Sequence, residues 1–210
     1  MSRPEKAGQA ARDIAVKKPD ARPAGHKNHE VRIIGGQWKR TKLKVADKPG
    51  LRPTPDRVRE TLFNWLGQDL SGWQCVDAFA GTGALGFEAA SRGAKGVRLV
   101  ENDKTLVAML EQVKAQLKAD AVQVLRSDGV GALKALSEAS VDLIFIDPPF
   151  ESQLFEPALQ AAGRAVAASG FVYLEATVKW TDEQLLPFNL ALHRHLKAGA
   201  VHAHLLRRAA

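Results

Sequence analysis

The tetrapeptide Asp147-Pro148-Pro149-Phe150 carries the side chains best suited to chemistry in this 210-residue chain. It follows an apolar run at 141–146, a pattern typical of a buried strand, whose carboxyl end is where open α/β sheets bind ligands. The Asp147 carboxylate and the Pro148 carbonyl suit an exocyclic amine on a planar base, whose nitrogen they would draw towards tetrahedral geometry. They would also stabilise the positive charge that develops there. Phe150 can stack on the base.

A glycine-rich loop at 81–86 predicts a second ligand contact. Its G-x-G-x-x-G pattern is by itself a weak signal for a dinucleotide. Asp77, just before the loop, would repel a pyrophosphate but would accept hydrogen bonds from an ammonium group. Glu101 ends the next predicted strand and can accept both ribose hydroxyls, and Ser127-Asp128 follow the third strand, where an adenine amine would lie. These acids favour S-adenosylmethionine, although Asp77 and Asp128 also suit loop or helix capping.

The elements that must position these residues alternate between strand and helix from residue 73 onward. Such alternation predicts a mainly parallel, Rossmann-like sheet of seven strands with helices on both faces, closed by an antiparallel hairpin. We expect strands at 74–78, 96–100, 121–125, 141–146 and 170–175, helices at 84–92, 104–119, 130–137 and 154–168, and a final hairpin at 189–196 and 200–207.

The first 60 residues hold the whole positive excess of the chain. They contain 16 Lys or Arg against 7 Asp or Glu, whereas residues 61–210 contain 14 against 16. We interpret residues 1–29 as a disordered basic tail. Residues 30–72 are predicted to form a basic hairpin around Gly35-Gly36 and a helix capped by Thr54, ahead of a catalytic domain at 73–208. This asymmetry predicts a polyanionic partner.

Composition excludes several classes of protein. No apolar stretch approaches the ~20 residues of a membrane helix, and the beginning of the chain shows no signal peptide. The single cysteine, Cys75, excludes an internal disulfide and a Cys-rich zinc site. Alternating histidines along the last two strands make a metal site conceivable, but the chemistry above needs no metal. We expect a cytosolic monomer.

Several segments together make the sequence similar to the RsmD family, class I S-adenosylmethionine-dependent methyltransferases that modify N2 of a guanine in small-subunit ribosomal RNA. The similarity spans about residues 30–207. The segments are Leu51-Arg52-Pro53-Thr54, Arg57-Val58-Arg59-Glu60, Phe63-Asn64-Trp65-Leu66, the stretch 77–86, the stretch 88–94 and Asp147-Pro148-Pro149-Phe150.

The resemblance implies methyl transfer from S-adenosylmethionine to a specific guanine of 16S rRNA, in the small subunit or in its assembly intermediate. The predicted cofactor-binding residues are Asp77, Ala78, Gly81, Gly83, Glu101, Asn102, Ser127 and Asp128. The predicted catalytic residues are Asp147, Pro148, Pro149 and Phe150. The predicted RNA-binding residues are Arg32, Lys39, Arg40, Arg52, Arg57 and Arg59.

Three alternatives stay open at the level of sequence. A DNA adenine-N6 methyltransferase would use the same Asp-Pro-Pro-aromatic device, although no DNA-reading domain is evident. An NAD-dependent oxidoreductase would use the glycine loop and Glu101. A non-enzymatic RNA-binding assembly factor would keep the fold without needing Asp147.

Overall fold

A computed structural model describes residues 30–45, 48, 51, 54–149 and 153–209. Two short strands, β1 (Glu30–Arg32) and β2 (Lys42–Lys44), pair antiparallel and precede helix α1 (Asp56–Trp65). The predicted tail at 1–29 lies outside the described residues, as do Arg52 and Phe150. None of the described helices is long and apolar enough to cross a membrane.

The main sheet has seven strands, as predicted. The remaining elements are β3 (Gln74–Asp77), α2 (Ala84–Ser91), β4 (Gly96–Glu101), α3 (Lys104–Leu117), β5 (Val122–Arg126), α4 (Gly129–Lys134), β6 (Val141–Ile146), α5 (Phe155–Ala165), β7 (Val166–Ala176), α6 (Asp182–Leu185), a 3-10 helix (Leu186–Phe188), β8 (Leu190–Ala198) and β9 (Val201–Arg208). Spatial order is β5-β4-β3-β6-β7-β9-β8. The first five of these strands run parallel, and β9 pairs antiparallel with both β7 and β8.

This strand order creates a switch point between β3 and β6. From β3 the chain moves outward through β4 to β5, and it then returns to place β6 on the other side of β3. The connections on the two sides of this point diverge, which opens a crevice at the carboxyl ends of β3 and β6. Asp77 ends β3, and Asp147 directly follows β6.

Two clusters of buried side chains cover the two faces of the sheet. One contains Leu99, Phe145 and Tyr173 with residues of α1, α2 and the first hairpin, and the other contains Val76, Ile144 and Leu159 with residues of α4 and α5. Successive residues of a strand point to opposite faces, so one strand supplies both clusters. The N-terminal elements therefore share a core with the seven-stranded sheet.

Three local predictions need correction. Thr54 does not cap α1, because Pro55 is its N-cap residue and no side chain makes a capping hydrogen bond there. Helix α5 ends at Ala165 rather than near 168, and β7 begins at once at Val166 rather than near 170. The short helix α6 and the 3-10 helix after it were not predicted.

Candidate active site

A cavity of about 480 Å³ opens at the switch point. Its walls come from the carboxyl ends of β3, β4, β5, β6 and β7, together with residues that precede α1. The predicted residues that line it are Asp77, Ala78, Gly81, Glu101, Asn102, Ser127, Asp128, Asp147, Pro148 and Pro149. The predicted cofactor and catalytic residues of the described chain thus meet in one cavity, with the exception of Gly83.

The glycine loop is held to the end of β4 by Glu101. The Gly81 N–H donates to Glu101 Oε2 at 3.0 Å, and the Asp103 N–H donates to Oε1 at 2.9 Å. Gly81 has a φ of +51°, a conformation that glycine adopts most readily. Glu101 therefore reaches the cavity with both oxygens anchored, and each oxygen keeps a lone pair for a ligand hydroxyl.

Gly83 begins helix α2 instead of lining the cavity. Its φ is +74°, and a Cβ there would lie 2.6 Å from Leu110 and 2.7 Å from Phe87. Glycine is required here for close packing of the loop on α3. Gly83 therefore does not line the cavity as predicted, and what the structure shows is its part in shaping the loop.

Asp77 is buried beneath the glycine loop. Its Oδ2 accepts a hydrogen bond from the Gly86 N–H at 3.2 Å, within the first turn of α2. Burial raises the pKa of Asp77 to about 7, against the opposing effect of hydrogen bonds from the Gly86 and Phe79 backbone. Asp77 thus accepts a hydrogen bond from the first turn of α2 and also lines the cavity, so its capping role does not exclude the predicted ligand contact.

Two further carboxyl groups lie near Asp77. Burial raises the pKa of Asp147 well above its usual value, and the charges of Glu175 and Asp77 raise it further. Burial likewise raises the pKa of Glu175, although hydrogen bonds from Thr54 and Tyr173 oppose this. The Tyr173 hydroxyl lies 2.9 Å from Glu175 Oε1. The three acids favour a positively charged ligand, because like charges raise one another's pKa and a nearby cation lowers it.

Ser127 and Asp128 follow β5 at the far side of the cavity. Asp128 is solvent-exposed and caps α4, accepting the Gly131 N–H on Oδ1 at 2.6 Å. Its second oxygen is free of described hydrogen bonds, so capping leaves an acceptor for a ligand amine. The Ser127 N–H donates to the Glu101 carbonyl at 3.1 Å, which ties this loop to β4.

The charges around the cavity determine which kind of cofactor it can bind. Six acids line it: Asp77, Glu101, Asp103, Asp128, Asp147 and Glu175. Among the described lining residues Lys48 is the only basic one, and it forms an ion pair with Asp103. A pyrophosphate would meet net repulsion here. A ligand with an ammonium group, a positive sulfur and ribose hydroxyls, as in S-adenosylmethionine, fits this donor set.

Several lining residues were missed from sequence. Glu175 is the last residue but one of β7, so its position near the strand end was a usable signal, but no motif surrounds it. Thr54 and Lys48 reach the cavity from the N-terminal extension, which only the folded chain brings there. Leu106 and Val130 add apolar surface suited to an adenine ring.

The predicted RNA-binding side chains fall into two groups. Arg32, Lys39, Arg40 and Arg57 are exposed on the N-terminal elements. Arg59 is fully buried, and its guanidinium contacts Glu88, Asp56 and the backbone carbonyls of Thr54 and Arg32. Its assignment as an RNA contact is therefore wrong, because no part of the side chain is accessible to a phosphate.

Two solved structures of similar architecture are named as a methyltransferase and a methylase. One from Escherichia coli, named as a methyltransferase, aligns with a TM-score of 0.75 at 42% identity and covers 87% of this chain and 99% of that chain. A Haemophilus influenzae structure named as a methylase aligns with a TM-score of 0.70 at 34% identity, covering 86% and 99%. Fold and cavity together define a class I methyltransferase.

Sequence similarity places the chain in one family within this class. The model of the family described as Conserved hypothetical protein 95 matches residues 31–207. Ribosomal RNA small subunit methyltransferase D of Escherichia coli K12 is 42% identical over 197 residues, which is 93% of this chain and 96% of the relative. The Haemophilus influenzae protein of the same name is 39% identical, and the match covers 82% of this chain and 91% of that relative. The chain belongs to this methyltransferase family, which confirms the resemblance to RsmD.

Proposed function

We propose that this chain transfers a methyl group from S-adenosylmethionine to the exocyclic N2 amine of a guanine in 16S rRNA. The observation that carries the proposal is the position of Asp147-Pro148-Pro149. It lines the same acidic cavity as the glycine loop and Glu101, so a methyl donor and an amine acceptor can meet there. The names of the two relatives support ribosomal RNA of the small subunit as the substrate.

Residues of the chain would bind the donor at three points. S-adenosylmethionine, when bound, supplies a methyl group on a positively charged sulfur. Asp77 would accept hydrogen bonds from the ammonium group, Glu101 from the ribose hydroxyls, and Ser127-Asp128 from the adenine amine. Leu106 and Val130 would pack against the adenine ring. The positive charges of this ligand favour the ionised forms of Asp77, Asp147 and Glu175 and offset the burial that raises their pKa values.

Asp147 acts on the acceptor. The lone pair of the guanine N2 amine is delocalised into the ring, which makes it a weak nucleophile. When the two amine protons are donated to the Asp147 carboxylate and the Pro148 carbonyl, the lone pair points away from both and towards the methyl donor. The carboxylate also stabilises the positive charge that forms on nitrogen. The electron pair of the broken methyl–sulfur bond stays on sulfur, and the methylated nitrogen then loses one proton to solvent. Positioning of donor and acceptor supplies much of the remaining rate.

The partner is the 16S rRNA of the small subunit or its assembly intermediate, bound by a monomer in the cytosol. The exposed Arg32, Lys39, Arg40 and Arg57 would attract its phosphates. The target guanine must leave its stack to reach the cavity, since a base that is stacked and paired in a helix cannot enter it. Arg52 and Phe150, which lie outside the described residues, keep their predicted roles as an RNA contact and as the stacking ring.

Labelled S-adenosylmethionine and small subunits from cells that lack the modification test this proposal. We expect label in 16S rRNA with the wild-type chain and a loss of roughly 100-fold or more with Asp147→Ala, since one preorganised electrostatic contact is removed. Asp120→Ala, an exposed acid remote from the cavity, is the matched control and keeps full transfer.

The alternatives predict other outcomes in the same assay. Label in duplex DNA but not in rRNA would favour an adenine methyltransferase. An assembly factor would give no label with any variant, and undiminished label with Asp147→Ala would contradict the mechanism. S-adenosylhomocysteine binding, measured by calorimetry, separates lost chemistry from a lost fold, because Asp147→Ala should retain it.

A further inference from the structure

We propose that His195, His202 and His204 form a binding site for a transition-metal ion such as Zn²⁺. One ring nitrogen from each histidine lies within 4.8 Å of the other two. The three residues belong to the last strand pair, where His195 is directly opposite His204 and His202 is opposite Lys197. No step of the proposed methyl transfer uses them, so this site stands apart from the function proposed above.

Strand register brings the three rings to one face. Residues 195, 202 and 204 all project to the same side of the β8–β9 ladder, since side chains two apart share a face and opposite residues do too. The ring centroids of His195 and His202 are 5.1 Å apart, and those of His195 and His204 are 5.0 Å apart. From sequence the histidines could only be assigned to alternating positions, and the pairing register is what makes them converge.

Both ring nitrogens of His204 have hydrogen-bond partners. Its Nε2 accepts a hydrogen bond from the Trp180 N–H at 3.1 Å, so the proton is on Nδ1, which lies 3.2 Å from the Leu174 carbonyl. A histidine that binds metal through one nitrogen usually donates its other N–H to a carbonyl or carboxylate in this way. A cation bound at Nε2 would have to displace the Trp180 N–H.

His195 and His202 face each other closely. His195 Nε2 and His202 Nδ1 are 2.9 Å apart, the distance of a shared hydrogen bond. Two nitrogens on one tetrahedral Zn²⁺ are roughly 3.3 Å apart at ordinary Zn–N bond lengths. For a cation to replace the shared proton, these two nitrogens must separate by a few tenths of an ångström. The His204 nitrogen, which lies within 4.8 Å of both, must approach them. Both rings are half-buried, which keeps the position open to solvent.

The donor set defines the ion. Three imidazoles suit Zn²⁺, Cu²⁺ or Ni²⁺ rather than Mg²⁺ or Ca²⁺, which prefer oxygen. The fourth position would be taken by water. Lys179, in the loop after β7, is near enough to His195 and His204 to act on them electrostatically and opposes the cation. We therefore expect weaker binding than at a four-ligand structural zinc site.

The site would join three parts of the fold. His195 is on β8, His202 and His204 are on β9, and the loop at 177–181 contacts His204 through Trp180. Val201, next to His202, lines the acidic cavity. A bound ion would therefore brace the wall of the cavity that the C-terminal hairpin provides.

Metal titration of the full chain tests the inference. Since the N-terminal tail contains His26 and His29, both are replaced by asparagine in every protein used. We expect one Co²⁺ per chain, with the visible absorption of tetrahedral cobalt, and displacement by one Zn²⁺ in calorimetry. His195→Asn and His202→Asn should each weaken binding by at least about tenfold.

His193→Asn is the matched control, since its ring packs near Phe171, with centroids 5.7 Å apart, rather than in the cluster. It should leave binding unchanged. Circular dichroism checks that each variant is folded. The inference is overturned if the chain with an intact cluster binds no Co²⁺ or Zn²⁺, or if His193→Asn weakens binding as much as His202→Asn does.

Discussion

Asp77, Asp147 and Glu175 are the residues on which the electrostatics of the site depend. Each is wholly or partly buried, each has a raised pKa, and together they line one cavity without a described basic side chain beside them. Burying carboxyl groups together destabilises their ionised forms unless a cation compensates. Without a ligand, the ionised forms of these three acids therefore lack a compensating positive charge, which a cationic ligand supplies.

We predict that the affinity for S-adenosylmethionine rises with pH as Asp77 ionises. The pKa of Asp77 in the free fold is about 7, above the ordinary 3.8. Its neutral form therefore stabilises the free fold at low pH, and this contribution is lost as pH rises through 7. A cationic ligand prefers the ionised form, so binding near pH 6 must release a proton. Calorimetry at pH 6 to 8, in buffers of different ionisation enthalpy, measures both effects.

Asp77→Asn should weaken binding and flatten its pH dependence while keeping the acceptor for the Gly86 N–H. Asp128→Asn, at the exposed side of the same cavity, is the control and should weaken binding without changing the slope. A wild-type affinity that does not change over this range would contradict the proposed contact with Asp77.

At the scale of elements, the first hairpin is fastened to α2 through Glu88. This fully buried carboxylate accepts the N–H groups of Ile34 and Gly35, both at 2.8 Å, and contacts the guanidinium groups of Arg59 and Arg92. Arg92 also lies over the Phe63 ring, 4.6 Å from its centroid. The basic elements are thereby held in a fixed position relative to the helix that follows the glycine loop.

Glu88→Ala should lower the free energy of unfolding by about 3–5 kcal/mol, because it leaves two arginines and two backbone donors buried without their acceptor. Urea unfolding measures the change, and hydrogen exchange should show faster exchange over residues 31–45. Glu111→Ala, which removes an exposed contact with Lys114, should cost less than about 1 kcal/mol. If Glu88→Ala lowers the free energy of unfolding as little as Glu111→Ala does, the role of Glu88 in fastening the hairpin is contradicted.

Strands with a distinctive run of buried apolar residues were predicted more accurately than the other elements. Strands β4 and β6 were predicted to within a residue, since apolar runs in a parallel sheet are distinctive. The start of β7 was missed because Val166-Ala167-Ala168 continues a helix-like composition directly from α5. Thr54 was misread as a cap because its hydrogen bond to Glu175 joins residues remote in sequence.

Candidate site residues were predictable where a strand end and a motif coincide, as at Asp77 and Asp147. Glu175 lies near a strand end but outside any motif, and it was missed. Arg59 was misassigned because formal charge does not reveal burial. Its partner Glu88 lies 29 residues away in the chain, and only the tertiary fold brings the two together.

At the scale of the whole molecule, the first hairpin and the cavity carry charges of opposite sign. Lys39 and Arg40 are exposed on the N-terminal hairpin, whereas the cavity is lined by six acids. Basic side chains outside an acidic cavity would hold RNA phosphates while the cavity selects an uncharged base and a cationic donor. This arrangement predicts that RNA binding depends on salt more than donor binding does.

Lys39→Ala/Arg40→Ala should weaken binding of small-subunit rRNA and reduce the slope of log affinity against log salt by roughly one per lost phosphate contact. Filter binding at several salt concentrations measures this. Lys118→Ala/Lys134→Ala is the matched control, since both lysines are exposed and Lys118, like Arg40, has a positive φ. Equal effects in the two double variants would contradict a specific RNA-facing hairpin.

The central claim is that the Asp147 cavity methylates a guanine amine in 16S rRNA. Mass spectrometry of nucleosides from small subunits, treated with the chain and isotopically labelled S-adenosylmethionine, tests it most directly. We expect labelled N2-methylguanosine at one site in 16S rRNA and a loss of roughly 100-fold or more with Asp147→Ala. Label in another nucleoside, or labelled N2-methylguanosine at an undiminished level with Asp147→Ala, would contradict it.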